Sequence, residues 1–272
     1  MNKVAVYGCT GFIGSRFCDL YENYVAIPRG GFSSGSDDVV YFISTTDNYN
    51  VFNDPYKDIN TNLTVLIDKL EKFKGSDKVF NFISSWFVYG DAVLPPNEES
   101  PCNPKGFYSI TKRCAEQLLI SYCTTFGIKY RILRLSSVYG PKDKPSSKKN
   151  AIQYMVELLK SNKDIQLYNN GEFYRELTYV DDIVSALGII INKGELDSVY
   201  NVGTGVATKF GDIIYSMKDY FNSSSNIEII NPSSFHKTVQ VKDMYMNVDK
   251  LKSLGFEAKY IDPIKTLKSM YQ

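Results

Sequence analysis

The sequence predicts an α/β fold: a parallel sheet covered by helices on both faces, joined to a smaller mixed lobe. Three observations carry that expectation. An apolar run at residues 4–7 leads through Gly8, Gly11 and Gly14 into a helical pattern. Beyond it, short β-branched and aromatic runs alternate with stretches of helical spacing, the order that builds parallel sheets. After Gly140-Pro141 a polar, basic stretch at 142–150 opens into shorter mixed elements.

The elements follow in order. Val4-Ala5-Val6-Tyr7 has the composition of a buried strand, and Phe17, Leu20 and Tyr21 continue as a helix. Between them lies Gly8-Cys9-Thr10-Gly11-Phe12-Ile13-Gly14. A strand turning through glycines into a helix aims backbone N–H groups and the positive helix end at one spot, which suits a pyrophosphate. Gly8 permits the tight turn, Gly11 lets the backbone approach phosphate, and Gly14 lets helix and strand pack closely. The spacing is G-x-x-G-x-x-G rather than the commoner G-x-G-x-x-G. Residues 24–28 read as a second strand, 29–36 as a Gly/Ser loop, and 39–44 as a third strand. Ile59, Leu63, Leu66, Ile67, Leu70 and Phe73 give helical spacing over 57–73, and 79–85 is another buried strand. A helix over 107–126 shows Ile110, Cys114, Leu118 and Tyr122 in one stripe, and a strand at 130–135 follows. In the second half, helices are expected at 152–159, 182–192, 212–221 and 263–271, and strands at 165–167, up to 180, and at 199–202. This divides the chain into a dinucleotide-binding domain, 1–141, and a lobe, 142–272, that interleaves with it.

Composition narrows the function. With 43% hydrophobic and 22% charged residues the chain reads as ordinary globular, and a net charge of +1 gives no reason to expect a nucleic-acid partner. No apolar run reaches the length of a membrane span, and Met1-Asn2-Lys3 running straight into a strand does not resemble a signal peptide, so a cytoplasmic protein is expected. The five cysteines, Cys9, Cys18, Cys102, Cys114 and Cys123, form no C-x-x-C pair and are expected reduced. His236 is the one histidine; with no clustered ligand set and no G-x-S-x-G, neither a catalytic metal nor serine hydrolysis is expected.

Two local patterns carry chemistry. Tyr108 and Lys112 stand four apart on a helix and share a face. A nearby cation favours the phenolate, so Lys112 is expected to lower the Tyr108 pKa and make it an acid/base near neutral pH. Ser84 and Ser85 end the buried strand at 79–85, and open α/β sheets bind ligands at such strand ends. A serine there can hydrogen-bond the reacting oxygen beside Tyr108.

The ordered set G-x-x-G-x-x-G, S-S-x-x-V-Y-G (84–90), Y-x-x-x-K (108–112) and R-L-x-x-V-Y-G-P (134–141) resembles the extended short-chain dehydrogenase/reductase family of nucleotide-sugar epimerases, dehydratases and ketoreductases. Later landmarks, Gly171 to Arg175 leading to Tyr179-Val180-Asp181-Asp182, Tyr200 to Gly203, and Asn247 to Lys250, extend the likeness over nearly the whole chain. The resemblance implies a modified Rossmann fold. It implies Tyr108 as acid/base, Lys112 on the nicotinamide ribose, and Ser85 orienting the sugar oxygen. Gly8, Thr10, Gly11, Phe12, Ile13, Gly14 and Asn60 would meet the cofactor. Arg175 would contact the substrate pyrophosphate, and Lys237 or Lys242 would replace a second arginine. It further implies a homodimer built on the helices at 57–73 and 107–126, with Leu66, Leu119 and Phe126 as candidate apolar contacts.

The departures sharpen the expectation. Where 4,6-dehydratases of this family carry an acidic pair, this chain has Trp86 and Phe87, which supply no proton, so dehydration is disfavoured. Ser137 stands where a substrate-contacting Asn is usual, and Leu63 where glycine is. Beyond the second strand the only nearby carboxylates, Asp37 and Asp38, are read as preceding the next strand rather than binding a ribose 2′-OH; Arg29, with Arg16 as a second candidate, would meet a 2′-phosphate. NADP(H) is favoured and NAD(H) stays open. Only one strand fits between the first and the 39–44 run, so the sheet edge should be trimmed. The expected activity is an epimerase or a ketoreductase on a nucleoside-diphosphate sugar. The alternative is a non-catalytic dinucleotide-binding regulator of the same fold.

Overall fold

A computed structural model describes residues 3–33, 38–146 and 151–272. The first half runs β1 (Val4–Tyr7), α1 (Phe12–Leu20), β2 (Tyr24–Ile27), β3 (Asp38–Tyr41), α2 (Asn50–Asn53), α3 (Tyr56–Ile59), a π-helical turn (Asn60–Thr64), α4 (Val65–Phe73), β4 (Val79–Ser85), a 3₁₀ turn (Trp86–Tyr89), α5 (Phe107–Phe126) and β5 (Lys129–Leu135). The second half runs β6 (Ser137–Tyr139), α6 (Ala151–Lys160), β7 (Ile165–Tyr168), β8 (Tyr174–Arg175), β9 (Leu177–Tyr179), α7 (Val180–Lys193), β10 (Ser198–Val202), β11 (Thr208–Lys209), α8 (Phe210–Tyr220), β12 (Ile227–Ile230), α9 (Ser234–Val239), α10 (Asp249–Ser253) and α11 (Pro263–Met270). Parts of the loops expected at 29–36 and 142–150 lie outside the described residues.

Six strands form one parallel sheet in the order β10-β5-β4-β3-β1-β2. A single strand, β2, makes the edge beyond β1, as the short segment between the first and third apolar runs requires. The opposite edge, β10, comes from the second half, so the two halves interleave. β3 ends at Tyr41, earlier than its apolar run, because β1 beside it ends at Tyr7. Residues 42–44 then leave the sheet and carry Ser44 toward its C-terminal end.

Both faces of the sheet are covered, which explains its near-continuous apolar strands. On one face Phe17 of α1 and Ile183, Leu187 and Ile190 of α7 pack on Val4, Val6, Val40 and Leu133. On the other, Leu66, Leu70 and Phe73 of α4 and Ala115, Leu119 and Cys123 of α5 pack on Ala5, Tyr41, Phe80, Phe82 and Ile132. A third cluster, including Ile152 and Val156 of α6, Ile213 and Met217 of α8, and Leu267 of α11, is the core of the smaller lobe.

This packing corrects one expectation. Leu66 and Leu119 are fully buried under the sheet and cannot serve a dimer contact. Each stabilises the monomer by roughly 1.5–3 kcal/mol, the worth of a fully buried leucine. The outward side of α5 carries Ile110, Leu118 and Phe126 instead, at 43%, 41% and 37% exposure. Among the described residues no helix is long and apolar enough to cross a membrane.

Candidate active site

The glycine turn has the geometry that close packing demands. Gly8 has φ +83°, a region that disfavours side chains. A Cβ on Gly14 would stand 2.2 Å from the Gly8 carbonyl oxygen, so α1 can approach β1 only with glycine there. The Gly11 N–H donates to Gly8 O at 3.0 Å. No side chain caps α1 and its first turn holds no acid, so its leading N–H groups are left for an anion. These features fit a dinucleotide pyrophosphate. Arg29 is exposed just past β2. Arg16 is not available there: its Nε and Nη2 donate to the Asp181 carboxylate at 2.6 and 2.8 Å, which ties α1 to α7. The 2′-phosphate role offered to Arg16 is therefore withdrawn.

Tyr108, Lys112 and Ser85 come together at the C-terminal end of β4. Gly106 starts α5, its N–H bonded to Ser109 Oγ at 3.0 Å, which sets Tyr108 in the first helical turn. The phenol is buried, with the Ser85 and Ser44 side chains beside it. One turn on, Lys112 Nζ donates to the Ile83 carbonyl at 2.7 Å and lies 4.2 Å from the Phe82 ring centre.

The electrostatics reverse the expected direction. Burial pushes the Tyr108 pKa up to about 12, and the neighbouring Ser85 and Ser44 hydroxyls offset this only in part. Burial pushes Lys112 down to about 7, with Glu116 opposing. The Lys112 ammonium points at a backbone carbonyl rather than the phenol, and desolvation penalises both charges. Tyr108 thus holds its proton firmly, the state from which an acid donates.

Glu116, a further turn along the same face, is fully buried. It accepts from Arg134 Nε and Nη2 at 3.0 and 2.9 Å, Arg113 Nη1 at 2.8 Å and Ser84 Oγ at 2.6 Å. These bonds hold its carboxyl below the ordinary range despite burial. The cluster pins β4, α5 and β5 together behind the reacting groups. Asn62, in the π-turn, does similar work: its amide donates to Thr45 Oγ1 and Thr111 Oγ1 and accepts from the Thr45 N–H, at 2.9 to 3.0 Å. Asn60 is exposed at the start of that turn. Glu116 continues the i+4 spacing of Tyr108 and Lys112, a signal that could have been read; Ser44 and Asn62 needed the fold.

An aromatic wall borders the phenol. Trp86 and Phe87 stack at 3.8 Å between ring centres, and Phe87 meets Tyr108 edge-on at 6.1 Å. The far side of Trp86 faces the Arg175 guanidinium at 5.9 Å. A cleft beside Trp86 is lined by Ser136, Ser137 and Glu176. Glu176, buried next to Arg175, accepts from the Gly205 and Met246 N–H groups at 3.0 and 2.8 Å, and burial pushes its pKa up to about 7.

Beyond this wall a cavity of about 240 Å³ gathers Arg175, Lys237, Lys242 and His236. Arg175 is oriented by backbone carbonyls, donating to Val241 O at 2.9 Å and to Tyr174 O and Lys242 O. Burial pushes its pKa down to about 10. Among the described residues neither Lys237 nor Lys242 has an ion-pair partner. Three cations lining one cavity suit an anion, and the two lysines that the sequence offers as alternatives both line it.

A family model described as the NAD dependent epimerase/dehydratase family matches residues 31–203. The dTDP-D-glucose 4,6-dehydratase of Dictyostelium discoideum is 34% identical over 62% of this chain and 41% of its own length. The chain therefore spans well under two thirds of that relative. A putative UDP-glucose 4-epimerase of Methanocaldococcus jannaschii is 26% identical over 93% of this chain and 92% of its own. Among solved structures, the UDP-glucose 4-epimerase of Thermotoga maritima with UDP-glucose superposes with a TM-score of 0.85, at 23% identity, covering 99% of this chain and 98% of the other. That likeness bears out the α/β, Rossmann-like fold.

Proposed function

The chain belongs to the NAD dependent epimerase/dehydratase family, and on that footing we propose that it acts on a nucleoside-diphosphate sugar by hydride transfer, as an epimerase or ketoreductase and not as a 4,6-dehydratase. The observation that carries the reading is the stacked Trp86–Phe87 pair standing beside the buried Tyr108 phenol. A dehydratase must take a proton from one carbon and give one to a hydroxyl leaving another, which needs acid and base groups beyond the tyrosine. Neither ring supplies them. Glu176, in the cleft beside Trp86, has its oxygens taken up by backbone N–H groups.

A nicotinamide dinucleotide supplies the hydride-accepting or hydride-donating carbon when bound. Gly8, Thr10, Gly11, Phe12, Ile13 and Gly14 would hold its pyrophosphate, with Lys112 and Asn60 further contacts. Arg29 at the end of β2 favours NADP(H). Tyr108, held neutral, gives its proton to the oxygen of a keto sugar, and Ser85 Oγ hydrogen-bonds the same oxygen. In an epimerase Tyr108 must also pass through its phenolate to take the proton of a sugar hydroxyl; Lys112, one turn along, is the nearby cation, and its Nζ, which donates to the Ile83 carbonyl, would have to turn toward the phenolate to stabilise it. Trp86 and Ser137 border the sugar. Arg175 with Lys237 and Lys242 holds the diphosphate, and Arg suits that geometry. The same reading includes a homodimer through the outward side of α5, where Ile110, Leu118 and Phe126 are exposed.

The test is incubation with UDP-, dTDP-, GDP- and CDP-hexoses and with their 4-keto-6-deoxy forms, followed by NMR of the products. Epimerised hexose, or reduction of the keto sugar, is the expected result. A 4-keto-6-deoxy product accumulating from an intact hexose contradicts it, and is the outcome the Dictyostelium relative's name would suggest.

A further inference from the structure

His236 belongs to the cavity that holds Arg175, Lys237 and Lys242, yet the proposed chemistry gives it no role. Its ring is half-buried and packs on Tyr168 at 4.5 Å between centres. The backbone N–H of His236 donates to Ser233 Oγ at 3.2 Å, which caps the short helix α9. Among the described residues no side chain hydrogen-bonds the imidazole itself. The charged and titratable groups around the cavity are Arg175 from β8, Lys237 from the same helix as His236, Lys242 from the segment after it and the phenol of Tyr168; a shell further out, Asp243 acts on Arg175 and Tyr49 packs on the neighbouring Phe235. Asp243 is the one carboxylate of that set, and it accepts from the Tyr174 N–H at 2.8 Å. The lining therefore presents positive charge without matching negative charge.

We propose that His236 is a further anion contact of this site, and that it takes up one proton from solvent when the diphosphate of a nucleotide enters the cavity. The inference rests on the reading of this cavity as the diphosphate site. Without an anion, burial and the facing Arg175 charge keep the imidazole pKa below its ordinary 6.5. A diphosphate reverses the balance: its negative charge screens Arg175 and favours the imidazolium, which can then donate a charge-assisted hydrogen bond. The folded, ligand-bound pKa lies above the free one. Affinity gained from His236 is therefore present below the free pKa and is lost as pH rises through the bound pKa.

The single histidine makes the test direct, because the chain has one imidazole Cε1–H signal. Its midpoint is followed by proton NMR over about pH 5.5 to 8.5, with the dinucleotide present throughout. UDP, dTDP, GDP or CDP, and inorganic pyrophosphate, should raise the midpoint by about one pH unit, whereas uridine should leave it in place. By linkage, nucleoside-diphosphate affinity should lose a further ~10-fold in total across that pH window in the wild type and not in His236→Gln. A nucleoside diphosphate that binds, seen by calorimetry, without moving the midpoint overturns the proton uptake and leaves the nucleotide-sugar reading standing. Failure of all four nucleoside diphosphates to bind overturns both. A rise seen with pyrophosphate but with none of the nucleotides overturns the inference and marks a site for inorganic phosphates alone.

Discussion

Glu116→Gln should cost the protein about 3 kcal/mol of folding stability while changing the side-chain volume hardly at all. The wild-type carboxylate accepts four hydrogen bonds, two from Arg134 and one each from Arg113 and Ser84. The amide keeps one acceptor oxygen and turns an NH₂ group toward a guanidinium. Arg134 is 2% exposed, so it is left charged, buried and without its counter-ion. Breaking such a pair from one side costs roughly 3–5 kcal/mol. The lower end applies here, because Arg134 keeps the Glu98 carbonyl at 3.4 Å and the Tyr89 ring at 4.8 Å. Urea denaturation near neutral pH, with comparable slopes for the two proteins, reads the difference. The sign of its pH dependence also follows. The folded carboxyl lies below its ordinary 4.5, so its contribution is complete above that value and is lost as pH falls through the folded pKa. The wild type and the variant should therefore converge in acid. Glu116→Leu with Arg134→Met should recover most of the loss, since neither charge is then stranded. A loss below about 1 kcal/mol in Glu116→Gln, less than the net worth of one charged hydrogen bond, would refute the reasoning.

Lys112→Met should stabilise the cofactor-free protein below about pH 7 and lose that advantage as pH rises toward 10.5; thermal melts across this window check it, and a destabilised variant at neutral pH contradicts the buried-cation account. Arg29→Ala should weaken NADP(H) binding by ~1.5–3 kcal/mol and leave NAD(H) nearly unchanged, measured by calorimetry; equal losses remove the preference for NADP(H). Leu118→Glu should convert a dimer to a monomer in sedimentation at micromolar concentration, and a wild type already monomeric there rules the dimer out.

Short-range spacing made the reacting groups legible. Tyr108 and Lys112 share a face because they stand one helical turn apart, and Ser85 ends a strand whose apolar run is plain in the sequence. The glycine turn was legible for the same reason, since strand, turn and helix lie within twenty residues of one another. What failed depended on distant segments. Arg16 is claimed by Asp181, 165 residues away, and nothing near Arg16 announces it. The pKa directions of Tyr108 and Lys112 follow from how completely other segments cover them, which pair spacing cannot report. Leu119 is misplaced because α5 is apolar on two adjoining stripes, and only packing tells Leu119 from Leu118; Leu66, on α4, is likewise taken up by the sheet face. His236 acquires a context only when α9 meets β8 across the cavity.

Turnover of Tyr108→Phe on the nucleotide sugar that the wild type converts puts the proposed chemistry to one decisive trial. The variant keeps the ring against Phe87 and removes only the hydroxyl that faces Ser85 and Ser44. Turnover should fall by at least ~10²-fold, the scale of lost general acid–base catalysis, with dinucleotide binding intact. Turnover near the wild-type rate, with the dinucleotide still bound, would contradict Tyr108 as the proton donor.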